Sequence, residues 1–142
     1  MNAQYILIGE DDEDDRYLIQ SAFEEGKFCE QLIFSASGVE ILDHLQEIYN
    51  RPSPKQYPKF ILLDLNMPKM DGRETLKALK SHLEFQKIPV IIFSTTNSEQ
   101  EMLTCYELGA NSYITKPNNF ESLIKTIHAI RSYWLVTSKT PH

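Results

Sequence analysis

Cysteine is scarce in this chain. The 142 residues contain two, Cys29 and Cys105, in no CxxC pair and with no histidine at metal-ligand spacing. A disulfide framework and a zinc knuckle are thereby excluded, and two reduced thiols in a reducing cytoplasm are expected. Long apolar runs are missing too: none approaches the roughly 20 residues that span a bilayer. The amino terminus, Met1-Asn2-Ala3-Gln4, lacks the basic region of a signal peptide. A soluble cytoplasmic protein is the expectation. Positive charge is also short, with 14 Lys and Arg against 20 Asp and Glu and a net charge of −6. A nucleic-acid-binding module would need a basic face to neutralise phosphates, so that class is excluded. No repeat or low-complexity tract is present. The length suits one domain, residues 1–142, large enough to bury its own core.

What is present is an alternation of apolar runs with segments of helical period. Tyr5-Ile6-Leu7-Ile8-Gly9, Leu32-Ile33-Phe34, Phe60-Ile61-Leu62-Leu63, Val90-Ile91-Ile92-Phe93 and Asn111-Ser112-Tyr113-Ile114-Thr115 read as strands. Between them, apolar residues recur at helical spacing. They are Tyr17, Leu18, Ala22 and Phe23, stopped by Gly26, then Val39, Ile41, Leu42, Leu45 and Ile48, opened near Ser37-Gly38. Leu76, Leu79 and Leu83 follow, then Met102, Leu103, Tyr106 and Leu108, closed by Gly109. A last helix carries Phe120, Leu123, Ile124, Ile127 and Ile130. The segment 50–59 holds three prolines, which forbid regular structure, and reads as an exposed connector. Strands this far apart cannot pair as hairpins, so right-handed crossovers give a parallel sheet with helices on both faces. The fold class is α/β, a doubly wound three-layer sandwich.

Polar anchors stand just past four of these runs: Glu10-Asp11, Asp64, Ser94 and Lys116. Sites on such sheets form beyond the carboxyl ends of the strands, so these side chains are expected at one edge. Two bare carboxylates about 4 Å apart repel by roughly 4 kcal/mol at an effective dielectric near 20. Either a proton is taken up or a cation lies between them. Oxygen ligands with room for phosphate favour Mg²⁺, which keeps several waters and needs few protein ligands. A carboxylate so placed can attack phosphorus in line; Lys116 supplies a point charge and Ser94 a hydroxyl donor.

Asp64 is followed by Leu65-Asn66-Met67-Pro68-Lys69-Met70-Asp71-Gly72. With Glu10-Asp11 before it and Ser94 and Lys116-Pro117 after it, the ordered set resembles the receiver domain of two-component response regulators over nearly the whole chain. The resemblance implies five strands in the order 2-1-3-4-5 and Asp64 as phosphoacceptor, assisted by Lys116 and Ser94. It implies Mg²⁺ held by Asp11, Asp64 and the backbone carbonyl of Asn66, with Glu10 acting through water. It also implies a switch in which Ser94 moves toward the phosphoryl group and Tyr113 swings inward, and a cis bond at Lys116-Pro117, where trans is the default from sequence alone. Glu10 departs from the family, which often has Asp there; Thr95 departs where Ala or Gly is usual, and its bulk is expected to restrict access. Asn66 and Thr96 occupy positions that tune hydrolysis.

The expected function is therefore a single-domain response regulator without an output module. It would take phosphate from a sensor histidine kinase or a His-phosphotransfer protein and bind an unknown downstream protein, or shuttle the phosphoryl group onward. No enzymatic turnover is expected beyond Mg²⁺-dependent self-phosphorylation and self-dephosphorylation. Neither a nucleic acid nor a membrane is an expected partner. A haloacid-dehalogenase-like phosphatase needs a second Asp two residues after the first, where this chain has Asn66. A flavodoxin-like carrier needs a phosphate-cradling loop after Ile8, and none is there. An EF-hand starting at Asp11 would put Arg16 and Ala22 where Gly and Glu belong. Asp14 and Asp15 are expected to stabilise the start of the first helix, with Asp12 at the rim of the site. His44, His82, His128 and His142 read as ordinary surface or helix residues. Tyr133-Trp134-Leu135-Val136 is either a homodimer or partner patch or the continued buried face of the last helix.

Overall fold

A computed structural model of the chain describes residues 5–28 and 30–137. Cys29 lies outside them. Five strands form a single parallel sheet: β1 (Tyr5–Gly9), β2 (Gln31–Ser35), β3 (Ile61–Leu63), β4 (Val90–Ser94) and β5 (Ser112–Thr115), in the order β2-β1-β3-β4-β5. Five α-helices alternate with them: α1 (Glu13–Glu25), α2 (Gly38–Tyr49), α3 (Gly72–Lys80), α4 (Glu99–Glu107) and α5 (Phe120–Arg131). A 3₁₀ turn at Phe85–Lys87 precedes β4, and a π-helical turn at Ser132–Thr137 extends α5. The α/β sandwich expected from the sequence and the strand order that the resemblance implies are those observed.

The central strands are buried on both faces, and their alternate residues feed two separate cores. Leu7, Ile61, Leu63, Val90 and Ile92 pack with α2 and α3. Ile6, Ile8, Leu62, Ile91 and Phe93 pack with α1 and α5. Each helix begins with a side-chain cap on its first turn, from Asp12, Ser37, Asp71, Ser98 and Asn119. Asp71 and Glu74 form a reciprocal capping box. Gly109 ends the α4 segment at φ +107°, where a side chain would be strained.

Several helix faces differ from the periodic reading. In α1 the buried residues are Ile19, Ala22 and Phe23, whereas Tyr17 and Leu18 face solvent. Leu83 lies beyond the end of α3 and is exposed, as are Val39, Leu103, Tyr106 and Phe120. The segment 50–59 is exposed throughout its first half, whereas in the second half only Gln56 is exposed. Tyr57 stacks edge-on against Phe85 and its hydroxyl donates to Glu84 at 2.5 Å, while Pro58 is buried. The carboxylate and the ring belong to the 3₁₀ turn that precedes β4, a contact that proline content alone does not reveal. His82 likewise helps to hold the structure together. Its ring lies flat on Phe85 at 3.6 Å, and its Nδ1 accepts from the amides of Glu84 and Phe85. Trp134 and Leu135 pack against the α1/α5 core, leaving Tyr133 as the exposed aromatic. No helix among the described residues is long and apolar enough to cross a membrane.

Candidate functional site

The carboxyl ends of β1, β3, β4 and β5 deliver the polar anchors to one edge. Parallel pairing sets the depth of each: Gly9 lies opposite Leu63 and Ser94 opposite Thr115, so Glu10, Asp64, Ser94 and Lys116 emerge at similar levels. Backbone bonds fix these ends: the Glu10 amide donates to Ser35, that of Asp64 to Gly9, and that of Lys116 to Ser94. Glu10, Asp64 and Ser94 are buried, and Asp11 is exposed at the mouth.

Lys116 is the hub. Its Nζ lies 2.6 Å from Glu10 Oε1, 3.0 Å from Asp15 Oδ2 and 3.4 Å from Asp64 Oδ2. Burial disfavours its charge, but the hydrogen bond and charge of Glu10, with Asp64 and Asp15, outweigh that and hold the ammonium above its ordinary range. Glu10 is pushed up to about 7, first by burial and further by the Asp64 charge, against the pull of Lys116. Its other oxygen accepts from the Asp12 amide at 3.2 Å, and its carbonyl from Arg16 Nε at 2.6 Å. An oxygen from each of Glu10, Asp11 and Asp64 lies within 4.8 Å of the others. Three carboxylates at that spacing, two of them buried, form an all-oxygen donor set suited to a hard divalent cation.

The loop after Asp64 is tightly built. Asn66 donates its amide to Asp64 Oδ1 at 3.4 Å. The Met70 amide returns to the Pro68 carbonyl at 2.7 Å, turning the chain at Lys69 with φ +64°. Gly72 then closes onto the strand end, so tightly that a Cβ there would collide with the Asp64 carbonyl oxygen. Ser94 Oγ accepts from the Thr96 amide at 3.3 Å, and the Tyr113 hydroxyl donates to the Thr96 carbonyl at 2.7 Å. The Tyr113 ring is half-buried and held against the loop after β4 rather than turned to solvent.

Asp12 caps α1, as its position at the rim allows, and Asp14 and Asp15 fall in the first turn of that helix. Asp15 does more than stabilise a helix end, because it also grips Lys116; no local signal links residues so far apart in sequence. Arg16, too, had no signature. The bond Lys116–Pro117 is trans, since Ser53–Pro54 is the cis bond among the described residues. The lysine reaches the carboxylates without a cis bond, guided by its amide on Ser94 and by three acceptors.

This edge, a lysine bridging the buried Glu10 and Asp64 just past the ends of β1 and β3 with Asp11 exposed at the mouth, is that of a receiver domain. The profile of the response regulator receiver domain matches residues 6–128, and the chain belongs to that family. It is 37% identical over 139 residues to response regulator Rcp1 of Synechocystis sp., covering 96% of this chain and 92% of that protein. It is 34% identical to the probable methanogenesis regulatory protein FilR2 of Methanothrix harundinacea, covering 96% and 86%. Among solved structures, the phosphorylated cyanobacterial phytochrome response regulator RcpA superposes with a TM-score of 0.87 at 34% identity, with 99% of both chains covered. The Mn²⁺-bound form of Rcp1 gives 0.83 at 36% identity, covering 98% and 99%. The protein is a receiver-domain response regulator of two-component signalling.

Proposed function

We propose that Asp64 accepts a phosphoryl group from a phosphohistidine on a sensor histidine kinase or His-phosphotransfer protein, and that the resulting charge resets the surface around α4 and β5. The observation that carries this reading is the convergence of Lys116 on Glu10 and Asp64 beside a three-carboxylate oxygen set. An Asp64 carboxylate oxygen forms the new bond to phosphorus, and the bond from phosphorus to the donor's imidazole nitrogen breaks. The donor ring carries a proton on its other nitrogen, so the nitrogen that leaves phosphorus keeps the electron pair and the imidazole departs neutral.

Asp11, Asp64 and the Asn66 carbonyl would hold Mg²⁺, with Glu10 acting through water; the cation would offset charge on the transferring oxygens. Lys116 moves its interaction from carboxylate to phosphoryl oxygen, and Ser94 supplies a hydroxyl donor once it leaves the Thr96 amide. Tyr113 follows the loop through its bond to Thr96. Asn66 cannot serve as a general acid, which favours a stored acyl phosphate over phosphatase turnover. Self-phosphorylation and self-dephosphorylation would be the extent of its chemistry, in the cytoplasm.

Rcp1 has been crystallised with Mn²⁺ and RcpA in a phosphorylated form. RcpA is a phytochrome response regulator, and a further relative, RPA3017, acts in red light signalling with a TM-score of 0.87. A phytochrome-type histidine kinase is therefore the donor to try first. The decisive experiment is incubation with acetyl phosphate and Mg²⁺, followed by intact mass. The parent should gain one phosphoryl group and Asp64→Asn none; an adduct on the variant would overturn the assignment.

A further inference from the structure

Helix α4 is anchored unlike the others. Its only buried residue is Cys105, whereas α2 buries Ile41, Leu45 and Ile48 and α5 buries Leu123, Ile127 and Ile130. With so little apolar burial, its seat depends on polar ties, and a few of these set which position it takes. One tie is a two-pronged ion pair. Arg73 Nε donates to Glu101 Oε2 at 2.8 Å and its Nη2 bonds Oε1. The fork is mostly shielded, with the Glu101 side chain 20% exposed, and paired geometry of this kind is the strong class of ion pair. Asp71 Oδ2 stands a further 3.6 Å from Arg73 Nη1.

The two ends of this fork lead to the site by different routes. Arg73 follows Gly72, whose amide donates to Leu65 and which packs so close to the Asp64 carbonyl that a Cβ would collide with it. Its position is thus set by the backbone of the carboxylate strand. Glu101 is in the first turn of α4, where its amide donates to the Ser98 cap. Two residues before that cap stands Thr96, whose carbonyl holds the Tyr113 hydroxyl. A second tie closes the circuit: Tyr106 of α4 accepts the Tyr113 amide on its hydroxyl at 3.0 Å.

We propose that Arg73 and Glu101 are positioning residues, a latch that fixes the first turn of α4 and so keeps the Thr96 carbonyl where Tyr113 can hold it inward. The latch would favour the inward state and tighten binding of a phosphoryl group at Asp64. This rests on the reading of Asp64 as phosphoacceptor and adds its regulation. Loosening the fork frees the loop, Tyr113 exchanges with an outward position, and the site loses the part of its affinity that the inward state contributes.

The test uses Glu101→Gln, Arg73→Glu and the charge swap Arg73→Glu/Glu101→Arg. The protein is labelled with 3-fluorotyrosine, and the Tyr113 resonance is assigned from Tyr113→Phe. The fluorine signal is read first without metal, then beryllofluoride is titrated at saturating Mg²⁺. Both single variants should move the Tyr113 signal toward a second position and weaken beryllofluoride by about fivefold. The swap should restore both, which a purely structural loss would not do. An unmoved Tyr113 signal with unchanged affinity, or a swap that restores neither, overturns the latch. Failure of the parent to bind beryllofluoride would instead overturn the Asp64 assignment, while the metal-free fluorine signal still decides the latch.

Discussion

Lys69 turns the loop after Asp64 at φ +64°, with the Met70 amide bonded back to Pro68 across it. A non-glycine residue in the left-handed region is strained by about 1 kcal/mol, and a turn closed over three residues with this sign of φ is a rare one. The side chain is exposed and makes no hydrogen bond or ion pair among the described residues, so nothing visible offsets the strain. Glycine adopts the same angle freely but leaves a more flexible unfolded chain, which reduces the gain. Lys69→Gly should raise stability by about 0.5 kcal/mol, read as a higher urea midpoint with unchanged slope. A lower midpoint would mean that the lysine itself holds the loop. Strain five residues after Asp64 fits a segment whose geometry would be set by the role proposed for that carboxylate.

At the scale of elements, the second half of the 50–59 connector behaves as part of the fold. Tyr57 packs edge-on to Phe85 with centroids 6.0 Å apart, Lys55 lies over the Tyr49 ring at 4.5 Å, and the Tyr5 hydroxyl donates to the Gln56 carbonyl at 2.8 Å. Tyr57→Ala should lower stability by about 1–2 kcal/mol through lost ring burial, measured by chemical denaturation. It should leave phosphoryl uptake unchanged, because the cluster lies at the opposite end of the strands from Asp64. The sequence made the strand-end anchors legible because two-sided burial forces unbroken apolar runs, and the first polar residue after each run must sit at the rim. Glu10, Asp64, Ser94 and Lys116 could be placed that way; the strand order could not, and came from resemblance. Helix faces were less legible. Tyr17, Leu18, Leu103 and Tyr106 fall at helical spacing yet face outward, since periodicity marks a stripe without saying which of two adjacent stripes meets the sheet. Contacts between distant segments left no local trace: Asp15 with Lys116, Arg73 with Glu101, Tyr57 with Glu84.

For the molecule as a whole, ionisation couples to folding at both the core and the site. Burial pushes the Tyr5 phenol up to about 12, against a weaker opposing effect of Arg51, and Tyr57 and Tyr113 are also raised by burial. A raised phenol keeps its proton in the folded state after the unfolded chain has begun to lose it. Stability is therefore full below pH 10 and falls as pH rises from there toward 12. Ultraviolet absorbance should show phenolate forming later in the folded protein than in urea, and Tyr5→Phe should flatten the alkaline loss.

The acidic edge gives the opposite lever, through metal. Glu10, Asp11 and Asp64 crowd their oxygens within 4.8 Å, and Lys116 is the cation paired with Glu10 and Asp64 but not with Asp11. A divalent ion bound by the folded state alone adds stability by mass action, about 1.4 kcal/mol at ten times its dissociation constant. For a domain of this size that is a rise in Tm of roughly 5 °C. Asp11 is exposed and has no partner in the Lys116 network, so Asp11→Asn removes a ligand and a repulsive charge together. Its metal-free Tm should be equal to or above that of the parent, while the Mg²⁺-dependent rise disappears. A parent Tm indifferent to Mg²⁺ from micromolar to tens of millimolar would mean that Lys116 already neutralises the edge and that no cation completes it. A retained rise in Asp11→Asn would mean that the Asp11 carboxylate charge is not needed and that Glu10, Asp64 and the Asn66 carbonyl carry the binding.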